Sequence, residues 1–285
     1  MSGRPTRASV GGRAYLDLRK AASSARRPTD ELLQLYALEG FLDRLSRSSH
    51  SERFVLKGGA LLAVFDARRP TRDVDLAGID VNNDLGELRG LVNEIIAIPV
   101  DDGLEFDVTT PTAQTIRDDE LYGGARVTIH GMLSTAIIQF NVDINVGDPL
   151  WPAPDDIAVP RLLGGPPIHV RGYRIELVLA EKIVTALQRG TANTRWRDFV
   201  DIASLARRDL DDSALVESIR RVAAHRQAPI RPLGVVLVGY PQVAQQRWAA
   251  WRHKQQLADS APAQFGELLD TVLEFADPLL LQAGQ

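Results

Sequence analysis

The sequence predicts an α+β fold: a mixed β-sheet flanked by helices over residues 1–150, then a mostly helical part over residues 151–285, giving a bilobed chain. Three observations lead there. Apolar residues repeat at helical spacing between Leu32 and Leu45. Strand-like runs then gather between Arg53 and Val146. Beyond a stretch rich in Pro, Gly and Asp at residues 148–167, helical patterns dominate. Helices first, strands clustered, and helices again indicate segregated elements rather than a regular strand–helix alternation.

In order along the chain, Ala14 to Ala25 has the composition of a helix, and the first dozen residues are expected to be mobile. Thr29 reads as an N-cap for an amphipathic helix carrying Leu32, Leu35, Leu38, Phe41 and Leu45 toward a core. A strand at Arg53 to Leu56, a Gly58-Gly59 turn, a helix from Ala60 to Phe65 and a strand through Asp73 and Asp75 follow. Asp84 opens a helix running through Ile98. Glu105 to Thr109, Ala125 to Ile129 and Ala136 to Val146 read as strands, with Gly123-Gly124 as a turn. Residues 148–167 read as a long irregular connection and the domain boundary. Then come a short strand or hairpin from Ile168 to Ile175 and helices at 176–189, 196–208, 213–225, 243–257 and 263–275.

Composition removes several classes of function. A chain of 285 residues with 45% hydrophobic and 25% charged residues buries a substantial core and is not disordered. It has no cysteine, which excludes disulfides, thiolate metal sites and cysteine nucleophiles. The basic start, Met1 to Arg13, is not followed by the apolar run of a signal peptide, and no later run is long enough for a bilayer, so a cytoplasmic location is expected. The net charge of −4 hides an asymmetry: Arg161 to Lys254 carries 16 Lys and Arg against 8 Asp and Glu, the remainder 17 against 29. A basic half beside an acidic one suits a polyanionic substrate; solvated helix faces produce the same count.

The chemistry gathers around Lys57-Gly58-Gly59 and Asp73-Val74-Asp75. Strand side chains alternate, so Asp73 and Asp75 project to one face and can share a divalent metal. Glycines at a strand-to-helix turn bring backbone N–H groups close to phosphate oxygens. Phosphoryl and nucleotidyl transfer at metal centres uses a further carboxylate from a neighbouring strand. Asp143, an acid inside an apolar strand, takes that place, with Asp107 as its competitor. The pattern indicates metal-dependent nucleotidyl or phosphoryl transfer.

Lys57-Gly58-Gly59, Arg69-x-Thr71-x-Asp73-x-Asp75, Glu181-Lys182 and Arg195-x-Arg197-Asp198-x-x-Asp201-Ile202 together resemble the four motifs of the AbiEii-type nucleotidyltransferase toxins. That family includes the mycobacterial MenT toxins and belongs to the DNA polymerase β-like nucleotidyltransferase superfamily. The resemblance spans roughly Arg53 to Ala206. It implies Mg²⁺ on Asp73 and Asp75, with Asp143 inferred as third ligand from its position. It further implies an NTP as co-substrate, with Lys57, Gly58, Gly59, Arg69, Thr71 and Arg72 around the phosphates, and Lys182 and Asp198 as catalytic residues. Lys182 is expected to contact triphosphate; Asp198 is expected to orient it or help deprotonate the incoming hydroxyl, and is preferred over Asp201. The resemblance also implies transfer of NMP to an acceptor, the tRNA 3′ end first, which blocks translation. A cognate antitoxin with a winged-helix DNA-binding domain is expected alongside. Two rival functions are transfer to a protein hydroxyl and a non-catalytic module that binds nucleotide or RNA.

Arg72 precedes the acid pair where the family varies. The five histidines are scattered singly and read as surface or satisfied groups. Trp196, Trp248 and Trp251 lie among Arg and Lys; stacking on unpaired bases and simple burial both account for them, burial being the commoner fate.

Overall fold

The structure is a computed structural model, and it describes residues 4–65, 71–116, 124–258 and 260–285. The chain divides into two compact units, one of residues 1–148 and 154–173, the other of residues 149–153 and 174–285. The fold is α+β, with a mixed sheet flanked by helices.

The first unit opens with helices α1 (Val10–Ser24) and α2 (Thr29–Arg47). The start of the chain is more ordered than its composition suggests: Ser9 caps α1 by accepting from the Gly12 N–H, so the helix begins well before Ala14. Thr29 is the first helical residue of α2 rather than its cap. Pro28 holds the cap position, its restricted φ suited to the entry of a helix. Leu38, Phe41, Leu42 and Leu45 of α2 are buried, as their spacing requires. Next come β1 (Phe54–Lys57), the one-turn helix α3 (Gly58–Leu61), β2 (Asp73–Gly78) and α4 (Leu85–Ile96). Asp84 caps α4, accepting from the Glu87 N–H at 2.8 Å.

The rest of the sheet is β3 (Leu104–Phe106), β4 (Thr112–Ile116), β5 (Gly124–Leu133), β6 (Ala136–Val146), β7 (Asp155–Val159) and β8 (Ile168–Gly172). Its order is β3-β5-β6-β2-β1-β8-β7, with β4 also on β5. Two of these strands depart from the sequence reading. Residues 148–167 are not wholly irregular, since β7 lies inside them and pairs antiparallel with β8. β4 is too exposed and polar to announce itself by alternation. Gly123 and Arg69 lie outside the described residues.

Period two decides what each strand offers. Val74 and Leu76 of β2, Ala125, Val127 and Ile129 of β5, and Phe140, Val142 and Ile144 of β6 are buried at 2% exposure or less. The residues between them, Asp73, Asp75, Arg126, Thr128, Asn141 and Asp143, therefore point to the opposite face of the same three strands.

The second unit contains α5 (Ile175–Arg189), α6 (Trp196–Leu205), α7 (Asp212–His225), α8 (Leu233–Val236), α9 (Tyr240–Lys254) and α10 (Phe265–Ala283). Its core is aromatic. Trp196 stacks on Tyr240 at 5.9 Å between centroids, and Phe265 sits edge-on to Trp196, Phe199 and Tyr240. Trp196 and Trp248, at 5% and 0% exposure, are core residues, which removes base stacking from their account. Asp277 of α10 fixes the start of α8, accepting from the N–H groups of Leu233 and Gly234.

Candidate functional site

Within the first unit, β2 runs parallel to β6 with Asp73 opposite Asn141 and Asp75 opposite Asp143. β5 pairs antiparallel on the far side of β6, placing Thr128 opposite Asn141 and Arg126 opposite Asp143. β1 pairs antiparallel with β2, placing Lys57 opposite Asp75. Two polar rows result. One is Asp73, Asn141, Thr128; the other is Lys57, Asp75, Asp143, Arg126.

The first row is a chain of hydrogen bonds. The Thr128 hydroxyl donates to Asn141 Oδ1, and Asn141 Nδ2 donates to Asp73 Oδ1, each at 2.9 Å. Each bond fixes the orientation of the next group, so Asp73 is held by a neighbour that is itself held. Thr71 adds a local bond, its hydroxyl donating to the Asp73 carbonyl at 3.2 Å.

The second row is ionic. Arg126 grips Asp143 with a two-pronged contact, Nε to Oδ1 at 2.8 Å and Nη2 to Oδ2 at 2.6 Å, and its Nη2 lies 4.0 Å from Asp73 Oδ2. Lys57 is buried and pairs with Asp148 at 2.7 Å, its ammonium 5.3 Å from the centroid of the Tyr173 ring. Burial, with Asp143 alongside, pushes the Asp75 carboxyl up to about 6, and the pull of Lys57 and the Gly59 N–H only partly offsets this.

Gly58 has a backbone role here that a phosphate loop alone does not explain. Its φ is +64°, and an added Cβ would fall 1.9 Å from Asp75 Oδ2. The Gly59 N–H donates to that same oxygen at 3.3 Å. The glycine pair therefore lets the turn close onto Asp75 without covering it. Arg72 has an exposed side chain, and its carbonyl accepts from Gln34.

These donors suit a hard divalent cation: two half-buried carboxylates on one strand face, one with its carboxyl pushed upward, beside a turn that has no side chain to block access. Among the described residues no three His, Cys, Asp or Glu groups form a metal-binding cluster. Asp143 lies beside Asp75 as its strand position suggested, with both oxygens engaged by Arg126. Sequence reasoning missed Arg126, Asn141 and Thr128. The available signal was that they alternate with apolar residues on strands neighbouring the acid pair. Asp107, the competing acid, is half-buried and accepts from Thr109 and Thr110 in a local turn.

The second unit holds the remaining predicted residues. Lys182, on α5, donates to Asp198 Oδ1 and to Asp201 Oδ2, both at 2.8 Å, and Arg195 donates to Asp198 Oδ2 at 2.7 Å. Asp201 is thus a partner of Lys182 equal to Asp198, because positions three apart on α6 share a face. Burial works against the charged form of Asp198, but the charges and hydrogen bonds of Lys182 and Arg195 outweigh it and hold the carboxyl at about 2. Burial likewise opposes the Lys182 ammonium, and the two aspartates reverse that and raise it.

The sequence model described as nucleotidyl transferase AbiEii toxin, type IV TA system, matches residues 40–278. The chain belongs to the AbiEii family. It is accordingly a nucleotidyltransferase toxin of a type IV toxin–antitoxin system, and that family implies a cognate antitoxin. MenT4, a nucleotidyltransferase toxin from Mycobacterium tuberculosis H37Rv, shares the fold with a TM-score of 0.54 at 18% identity, over 94% of this chain and 97% of its own. JHP933 from Helicobacter pylori aligns with a TM-score of 0.46 at 15% identity, over 95% of this chain and 91% of its own. No curated protein matches this AbiEii chain.

Two outcomes follow from these carboxyls. A folded-state pKa of about 6 at Asp75, above the ordinary 3.8, stabilises the fold fully below about pH 4, and the benefit is lost as pH rises through about 6. At pH 8 the Asp75→Asn variant of the metal-free protein should be more stable than wild type by on the order of 2 kcal/mol in urea unfolding, with the gain absent at pH 4. Asp198 has the opposite sign: its stabilisation is present above 3.8 and is lost as pH falls through about 2. Asp198→Asn should cost on the order of 2 kcal/mol at pH 7, a cost that shrinks steadily as pH falls from about 4 toward 2 in the same assay.

Proposed function

We propose that the protein transfers a nucleoside monophosphate from an NTP, with Mg²⁺ on Asp73 and Asp75, to the 3′ end of a tRNA, and so stops translation. The observation that carries the reading is Asp75: a half-buried carboxylate, its carboxyl pushed up to about 6, on the same strand face as Asp73 and directly under the Gly58-Gly59 turn. Asp143 is the proposed third carboxylate, within the same row. A divalent cation there would neutralise triphosphate charge and activate the α-phosphorus.

The chain's own groups have distinct parts in this reading. Gly58 and Gly59 keep side chains away from the turn, so that phosphate oxygens can approach its backbone while the Gly59 N–H holds Asp75, and Lys57, Thr71 and Arg72 are the proposed nucleotide contacts. Asn141 and Thr128 keep Asp73 in one orientation, which limits the reorganisation needed when charge develops. Lys182 supplies a positive point charge to the triphosphate, and Asp198 orients it. The strong pull of two aspartates on one ammonium supports a positioning part for Asp198 over that of a proton acceptor, because a carboxyl held at about 2 binds protons weakly near neutrality. The basic balance of residues 161–254 favours a polyanionic acceptor. Residues 1–150 are proposed as the nucleotide-binding domain and 151–285 as the acceptor-facing part. The proposed antitoxin carries a winged-helix DNA-binding domain, and the proposed location is the cytoplasm; no described helix is long and apolar enough to cross a membrane.

Incubation with each α-labelled NTP, Mg²⁺ and total tRNA should label RNA with at least one nucleotide, and Asp75→Asn should lower the label by at least about a thousandfold, the scale expected when a charge-stabilising group of the reacting centre is lost. Label running with protein would move the acceptor to a protein hydroxyl. No label on either, with wild-type toxicity retained by Asp75→Asn, would leave only a binding module.

A further inference from the structure

Arg126 occupies the position in the acid row where a cation is most needed. Lys57, Asp75, Asp143 and Arg126 are successive cross-strand neighbours on β1, β2, β6 and β5. Lys57 is already paired with Asp148, so Asp73, Asp75, Asp143 and Arg126 carry a formal −2 when all are ionised. The Arg126 fork takes an oxygen with each prong, so both Asp143 oxygens point at the guanidinium. A hard metal ion draws on those same lone pairs. If Arg126 stays, a divalent ion must share Asp143 with a guanidinium that holds both its oxygens; if Arg126 withdraws, the ion meets all three carboxylates. Arg126 also has room to move, with a side chain 34% exposed against 12% for Asp143.

Resting on the metal reading above, we propose that Arg126 is a built-in counter-cation that a divalent metal must displace from Asp143, so that Arg126 sets the metal concentration at which the site loads. The arrangement solves a problem internal to the chain. Asp75 and Asp143 sit side by side on a half-buried sheet face, and two adjacent carboxylates stay charged there only with positive charge at hand. The planar fork of arginine suits Asp143 in a way a lysine does not, since lysine offers one point charge and no bidentate geometry. Arg126 is thus a positioning residue for the third carboxylate in its unloaded state.

The test is a titration of the nucleotide-free, full-length protein with Mn²⁺, reading the free ion by electron paramagnetic resonance. Arg126→Gln should bind Mn²⁺ at least about tenfold more tightly than wild type, because a unit charge is removed a few ångströms from the ion. Arg126→Lys should fall between them, and Asp143→Asn should abolish the gain from Arg126→Gln. A folded Arg126→Gln protein that binds Mn²⁺ equally or more weakly overturns the inference and assigns Arg126 a purely structural part. Should circular dichroism show Arg126→Gln unfolded, Arg126→Lys decides alone, and the absence of any tightening overturns the inference. If Asp75→Asn binds Mn²⁺ as wild type does, the metal reading fails and the inference with it. If Asp75→Asn loses binding while Arg126→Gln gains none, the inference alone fails.

Discussion

The parallel, in-register pairing of β2 with β6 puts Asp75 directly beside Asp143, and much of the first unit answers that one juxtaposition. Like charges on neighbouring strands repel, and a sheet face half removed from water screens them poorly. The chain responds with a cation at each end of the row, Lys57 on β1 and Arg126 on β5, and with a neutral hydrogen-bonded row through Asn141 and Thr128 beside it. Even so, Asp75 is left with its carboxyl pushed up to about 6, chiefly by burial. A site that keeps such strain is prepared to bind positive charge rather than to maximise the stability of the empty fold.

Register is what makes the arrangement specific. A slip of one residue between β2 and β6 would send Asp73 and Asp75 into the face that Val74 and Leu76 now fill, and would expose those apolar side chains instead. The core therefore enforces the site: burial of Val142, Ile144, Val127 and Ile129 on one face fixes which side chains meet on the other. Gly58 adds the local condition, a left-handed turn closed so tightly onto Asp75 that any side chain would collide with its carboxylate. In the second unit the same logic is reversed. Lys182 is a half-buried cation satisfied by Asp198 and Asp201 together, set on helices whose other faces pack the aromatic core around Phe199 and Phe265.

How much of this was legible in the sequence depends on whether the signal was local. β6 was readable from end to end because its alternation is strong, and Asp84 announced α4 because capping is a short-range interaction. The acid pair and its glycine turn were readable because their spacing is a motif. Arg126, Asn141 and Thr128 were not, because each gains its meaning from a partner on another strand, and no short-range pattern says which strands are neighbours. The same holds for Asp201: the helix predicts that it shares a face with Asp198, but only the packing of α5 against α6 shows that one lysine answers both. β4 and β7 were missed because an edge strand and a strand flanked by prolines and glycines owe their existence to pairing rather than to their own composition.

The proposed activity requires that the face shared by Asp73 and Asp75 be a metal site. The most direct measurement is an anomalous difference map from crystals of the full chain soaked with Mn²⁺ and a non-hydrolysable NTP. A manganese peak within coordination distance, about 2.2 Å, of carboxylate oxygens of both Asp73 and Asp75 is the predicted result. Well-ordered nucleotide with no manganese at that pair, or manganese held by other acids, would contradict it.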